Sequence, residues 1–187
     1  MIYEEKNFVP LDTLAALNKK MLEVYYNGDS QYTGNLLPRP IVRKIVNLPF
    51  PHFKYAVTKL GEEMLEPCEA IQKYVRNIYP TAEAQAVGYQ YFTGDQWTHS
   101  VHRDRVSWGG SLDNTMTSML YSHTVWKPEW EMNLNFCDHK HVTVPDPNTF
   151  VAFTRDERHW VGEPKFIEEG YIRIFLGVSW ILDPSKA

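Results

Sequence analysis

The chain is poor in cysteine. It has two, Cys68 and Cys137, among 187 residues. They show no metal-binding or redox spacing, and each sits among apolar neighbours, in Leu65-Glu66-Pro67-Cys68 and Leu134-Asn135-Phe136-Cys137. They read as buried free thiols. No basic block occurs anywhere, and the net charge is -4. That argues against nucleic acid as a non-specific partner and leaves room for no more than a local basic groove. No apolar run approaches the roughly 18 residues of a membrane span. The opening residues, Met1-Ile2-Tyr3-Glu4-Glu5-Lys6, have neither a basic n-region nor an apolar h-region. These absences give the expectation of a soluble, cytoplasmic protein with no membrane partner. Repeats, low-complexity segments and a second-domain linker are also missing, so a single domain over 1–187 is expected.

Aromatic residues are plentiful, at 14%, within an ordinary hydrophobic content of 43%. This suits a compact β-rich protein with a lined cavity. Leu14, Leu17, Met21, Val24 and Tyr25 recur at helical spacing behind Asp12, a good N-cap, and Asn27-Gly28 should stop that helix. Residues 27–53 hold Gly28, Gly34, Pro38, Pro40, Pro49 and Pro51. They read as a long connection with a brief extended piece at Ile41–Val46, either a functional lid or a wrap over the sheet. A second helix is expected from Phe53 to Tyr79 on the stripe Val57, Leu60, Met64, Cys68, Ile71, Val75 and Ile78, with Pro67 as a point of kinking or splitting.

After Pro80 the period becomes that of strands. They are expected at Ala84–Phe92, Thr98–Asp104, Thr115–His123, Met132–Phe136, His141–Val144, Phe150–Phe153, His159–Gly162 and Tyr171–Leu182, separated by Gly-, Asn- and Pro-bearing turns. Helices over 1–80 followed by a β-rich core over 81–187 is an α+β pattern, and eight short strands suit a double-sheet jelly roll.

One stretch in this core has the makings of a site: Thr98-His99-Ser100-Val101-His102-Arg103-Asp104. In an extended strand, residues two apart point to the same face. His102 and Asp104 could then take neighbouring positions on one metal ion. A histidine from a distant strand would complete a 2-His-1-carboxylate face, the arrangement of non-haem Fe(II) oxygenases. His159 is favoured for that part, because it begins a new extended piece after a polar turn. His139 and His141 are rivals in a turn between short strands. His99, three residues before His102, would face the other way, as would Arg103. On the closing strand, Ile172, Ile174, Leu176, Val178 and Trp180 share one face and read as sheet-to-helix core. Tyr171, Arg173, Phe175, Gly177 and Ser179 share the other. An arginine within so apolar a strand is costly unless paired. It serves either a structural ion pair or a bidentate grip on a ligand carboxylate.

From Tyr89 to the end, the sequence resembles the 2-oxoglutarate- and Fe(II)-dependent dioxygenases, particularly their prolyl-hydroxylase-like branch. The resemblance rests on four elements in order. These are Tyr91-Phe92-Thr93-Gly94 leading to His102-Arg103-Asp104; Met119-Leu120-Tyr121 running to Trp126-Lys127-Pro128-Glu129-Trp130; Leu134-Asn135-Phe136-Cys137-Asp138; and His159 followed by Arg173. It departs from the branch in having Phe175 where Ser or Thr often stands, and Glu131-Met132 in place of a common Gly-Gly.

The resemblance implies a double-stranded β-helix holding Fe(II) by His102, Asp104 and His159. It implies 2-oxoglutarate as cosubstrate, with its far carboxylate on Arg173 and with Tyr121, then Tyr91, as hydroxyl contacts. O2 and an amino-acid, peptide or protein substrate would be the other partners, and hydroxylation of a C–H the reaction. Two other readings stand beside it: a cupin-like metal-binding jelly roll without oxygenase chemistry, and a Zn-dependent hydrolase, which would call for a further His or a nearby general base. Neither needs a buried cation facing the metal, so Arg173 discriminates.

Overall fold

The structure, a computed structural model, describes residues 1–26, 42–47, 61–93, 100–104, 111–163, 165 and 172–186. For residues 24–26, 42–47 and 90–93 it describes the backbone. Among the described residues, two helices, α1 (Leu11–Tyr26) and α2 (Leu65–Ile78), accompany nine strands: β1 (Ile2–Glu5), β2 (Val42–Asn47), β3 (Glu83–Thr93), β4 (Thr115–Tyr121), β5 (Leu134–Phe136), β6 (Val142–Thr143), β7 (Phe150–Thr154), β8 (His159–Val161) and β9 (Ile172–Ile181). The strands form a six-stranded sheet in the order β1-β7-β4-β9-β3-β2 and a three-stranded sheet in the order β6-β5-β8. Every pairing is antiparallel. The N-terminal part therefore contributes both edge strands of the larger sheet besides its helices. Among the described residues, no helix is long and apolar enough to cross a membrane.

Both helices bury the greater part of their predicted stripes whose side chains are described, while Ile78 is half-buried and Val24, Tyr25, Val57 and Leu60 lie outside the described side chains. Leu14, Leu17 and Met21 of α1 and Cys68, Ile71 and Val75 of α2 join Ile172, Ile174, Leu176, Val178 and Trp180 of β9 in one apolar core. Two details differ from expectation. Helix α1 begins at Leu11, where the Pro10 carbonyl accepts from the Leu14 amide at 3.0 Å, so Asp12 lies inside the first turn. There its carboxylate favours the positive end of the helix dipole. The second helix does not kink at Pro67. Gly61, at φ 140°, precedes a short 3₁₀ turn at Glu62–Met64, and the α-helix begins at Leu65. Pro67 thus falls in the first turn, where its missing N–H costs nothing. Residues 53–60 lie outside the described residues, as does most of the 27–53 connection.

The other face of the six-stranded sheet meets the three-stranded sheet across a second core. Met119 and Tyr121 of β4, Val151 and Phe153 of β7, Phe175 of β9, Leu134 and Phe136 of β5, and Trp126, Trp130 and Met132 fill it. The register sets Thr117 opposite Ser179, Met119 opposite Gly177 and Tyr121 opposite Phe175. Directly opposed residues share a face. One surface thus runs from Thr117 and Ser179 at one end to Tyr121 and Arg173 at the other.

Candidate metal centre

The strand expected over Thr98–Asp104 does not form within its described part, residues 100–104. His102 instead makes an isolated antiparallel bridge with His159. The two backbones exchange hydrogen bonds, from the His102 amide to the His159 carbonyl at 3.0 Å and from the His159 amide to the His102 carbonyl at 2.9 Å. This reciprocal pair brings the two rings to one side with centroids 4.5 Å apart. The pairing of His102 with His159, rather than a regular strand through Asp104, assembles the cluster.

The side-chain nitrogens are then sorted by carbonyls. His102 Nδ1 lies 2.8 Å from the Ser100 carbonyl, and His159 Nδ1 lies 3.0 Å from the Glu157 carbonyl. A carbonyl can only accept, so each Nδ1 is the nitrogen that carries a proton, and in the neutral ring Nε2 is the one that presents a lone pair. Both Nε2 atoms face one oxygen of Asp104, at 3.8 Å from His102 and 3.7 Å from His159. Ligand atoms from the three residues lie within 4.8 Å of one another, close enough to hold one metal ion. His159 is buried, while His102 and Asp104 are half-buried, so the cluster opens toward solvent on their side. Burial pushes His159 below the ordinary imidazole range, opposed in part by the Asp104 charge. The neutral ring this favours is the form a metal takes.

The rival histidines stand elsewhere. His139 Nε2 contacts Glu157 Oε1 and His141 Nε2 contacts Glu4 Oε2, each at 3.0 Å. His99 lies outside the described residues. At the other end of the face, Arg173 is 1% exposed. Its Nη2 donates to the Tyr121 hydroxyl at 3.0 Å, and its guanidinium lies over the Tyr121 and Phe175 rings at 4.9 and 5.7 Å. Burial raises the Tyr121 pKa, more than the adjacent Arg173 lowers it, so the phenol stays neutral. Accepting from Arg173, it keeps its own O–H to donate. Tyr91 stands opposite Ile174, while Phe92 stands opposite Arg173. The Tyr91 side chain lies outside the described residues.

Three residues that sequence reasoning missed line the metal end. The Thr117 hydroxyl lies 2.6 Å from Asp104 Oδ2. Buried Arg155 donates its Nε to Thr117 Oγ1 at 3.2 Å and its Nη2 to Ser179 Oγ at 2.7 Å. The available signal was polarity out of place: Thr117 and Ser179 fall on the same strand faces as Tyr121 and Arg173, among apolar neighbours.

No family model and no curated protein matches the sequence. Solved structures do match in fold. A prolyl-4-hydroxylase from Pseudomonas putida superposes with a TM-score of 0.72 at 15% identity, over 97% of this chain and 92% of its own. A prolyl hydroxylase from Trichoplax adhaerens, solved in complex with a hypoxia inducible factor oxygen degradation domain peptide fragment, gives 0.70 at 13% identity over 99% and 84%. A non-haem α-ketoglutarate-dependent carbocyclase of nogalamycin biosynthesis gives 0.72 at 10% identity over 96% and 79%. These prolyl hydroxylases and other 2-oxoglutarate–Fe(II) oxygenases are the group that the sequence motifs resemble. At such identities the likeness is one of fold.

Proposed function

We propose that the protein is a 2-oxoglutarate- and Fe(II)-dependent dioxygenase on a double-stranded β-helix. Its reaction is hydroxylation of a C–H in a prolyl or other amino-acid side chain, presented as a peptide, protein or free amino acid. One observation carries the reading. A single sheet face holds a His-Asp-His cluster anchored at Thr117 and a buried Arg–Tyr pair at Tyr121. Those two β4 positions are about 13 Å apart along the strand. A five-carbon dicarboxylate, about 6 Å between its ends, can bridge that interval through a metal bond at one end and hydrogen bonds at the other.

The residues fit the groups. Two imidazole nitrogens and a carboxylate oxygen are donors that suit Fe(II) and leave coordination positions open. His102, Asp104 and His159 would hold the ion, with each ring fixed by a carbonyl on its far nitrogen. The planar fork of Arg173 and the O–H of Tyr121 would take the distal carboxylate of 2-oxoglutarate. Met119, Val151 and Phe175 make the intervening face apolar and buried. When bound, Fe(II) with 2-oxoglutarate and O2 supplies oxidative decarboxylation to succinate and CO2, coupled to substrate hydroxylation. A metal-binding jelly roll or a zinc hydrolase has no use for the buried cation on this face.

The test is succinate release from 2-oxoglutarate with Fe(II) and O2, screened over proline-containing peptides and free amino acids. At least one should stimulate release above the basal rate, and Asp104→Ala should abolish it. Release no greater than in Asp104→Ala under every condition contradicts the reading.

A further inference from the structure

The chain Arg155–Thr117–Asp104 has a fixed direction. A guanidinium only donates, so its Nε occupies a lone pair of Thr117 Oγ1 at 3.2 Å. The single hydroxyl proton of Thr117 is then left for Asp104 Oδ2, at 2.6 Å. Ser179 Oγ, accepting from Nη2 at 2.7 Å, braces the guanidinium from β9. Thr117 and Ser179 face one another across the β4–β9 pairing, so the brace is built into the sheet register. With Oδ2 engaged, Oδ1 is the oxygen that faces His102 Nε2 and His159 Nε2, at 3.8 and 3.7 Å.

We infer that Arg155 is a positioning residue: by orienting the Thr117 hydroxyl onto Oδ2, it confines Asp104 to one-oxygen ligation of a divalent metal through Oδ1. A carboxylate using both oxygens would occupy an additional position on the ion, one that a chelating cosubstrate needs. This inference rests on the reading of His102, Asp104 and His159 as metal ligands. It adds that the shape of the ligand set is held from behind, by a buried cation that never touches the metal.

The experiment titrates the full chain with Mn(II) alone, following the electron paramagnetic resonance signal of unbound Mn(II). Thermal melting of each variant serves as the folding control. Thr117→Val should weaken Mn(II) binding by about 10- to 100-fold, the usual cost of removing a partner that orients a metal ligand. Thr117→Ser restores the hydroxyl and should bind close to the parent. Arg155→Gln should weaken binding comparably to Thr117→Val, and the double variant should be no weaker than either single change, because both cut one chain.

Parental affinity in Thr117→Val, or a Thr117→Ser as weak as Thr117→Val, overturns the inference. So does parental affinity in a folded Arg155→Gln. If Arg155→Gln fails to fold, Ser179→Ala decides, since it loosens the guanidinium while leaving its charge in place: weakened binding supports the role and unchanged binding overturns it. A parent chain that binds no Mn(II) overturns the ligand assignment itself, which separates that failure from the failure of Arg155 alone.

Discussion

Arg173→Ala separates a ligand-binding arginine from a structural one. In the parent, the guanidinium is 1% exposed, donates to Tyr121 at 3.0 Å and lies 4.9 Å over its ring. If it grips the distal carboxylate of 2-oxoglutarate, truncation leaves that carboxylate buried without its cation. Such losses cost about 2–5 kcal/mol. At about 1.4 kcal/mol per factor of ten, the dissociation constant for 2-oxoglutarate should rise roughly 30- to 4,000-fold. The metal ligands belong to the other end of the face, so Mn(II) affinity should stay within about a factor of three. Arg173→Lys keeps the charge and loses the fork, and should fall between Ala and the parent. Calorimetry of 2-oxoglutarate binding to the Mn(II)-loaded protein, with Mn(II) titrated separately, reads both numbers. Equal losses of metal and cosubstrate affinity would make Arg173 a structural residue and not a ligand-binding one.

Tyr121→Phe removes one hydrogen bond to a charged group, worth about 1.5–3 kcal/mol. It should weaken 2-oxoglutarate by roughly 10- to 150-fold with Mn(II) affinity unchanged; a change confined to Mn(II) would contradict its place at the carboxylate. His123 is buried, with Nε2 2.6 Å from the Pro145 carbonyl and Nδ1 accepting from the Ile174 amide at 3.2 Å, and burial lowers its pKa to about 4. Because the folded value lies below the unfolded one, its stabilisation is complete above about pH 6.5 and is lost as pH falls toward 4, by about 3 kcal/mol. Urea unfolding should show this loss, and His123→Gln should flatten it; parallel losses in both proteins would exclude His123 as the cause. Glu131 holds φ 55° and ψ -122°, a conformation that disfavours a side chain. Glu131→Gly should raise stability by about 1 kcal/mol, and a lower melting temperature would contradict that strain.

The parts of the site that could be read from sequence are those written in short-range spacing. His102 and Asp104 stand two apart, and the period of β9 puts Arg173 on the face opposite Ile172 and Ile174, where the structure has it. The selection of His159 over His139 and His141 followed from its place at a strand start, and His159 does pair with His102. A regular strand through His102 and Asp104 does not form; the backbone bridge between His102 and His159 sets the two rings side by side, and Asp104 Oδ1 faces both.

Strand order is a tertiary property. Nothing local indicates that β9 lies between β4 and β3, and without that order the meeting of Thr117, Ser179 and Arg155 cannot be foreseen. The second helix was expected to run on through Gly61, because its apolar stripe continues there, but the backbone turns at that glycine. At Glu131-Met132, where the resembled branch often has Gly-Gly, both residues adopt positive φ, 55° and 56°. The backbone keeps a glycine-favoured shape at positions whose side chains gave no hint of it.

On the proposed reading, one face of this sheet binds Fe(II) and 2-oxoglutarate together. Anaerobic addition of 2-oxoglutarate to the Fe(II)-loaded protein reads both at once. Chelation by the keto and carboxylate oxygens should produce a weak visible charge-transfer band, lost in Arg173→Ala at the same cosubstrate concentration. A folded protein with bound iron that shows no such band does not hold 2-oxoglutarate on its metal, and the proposed function falls.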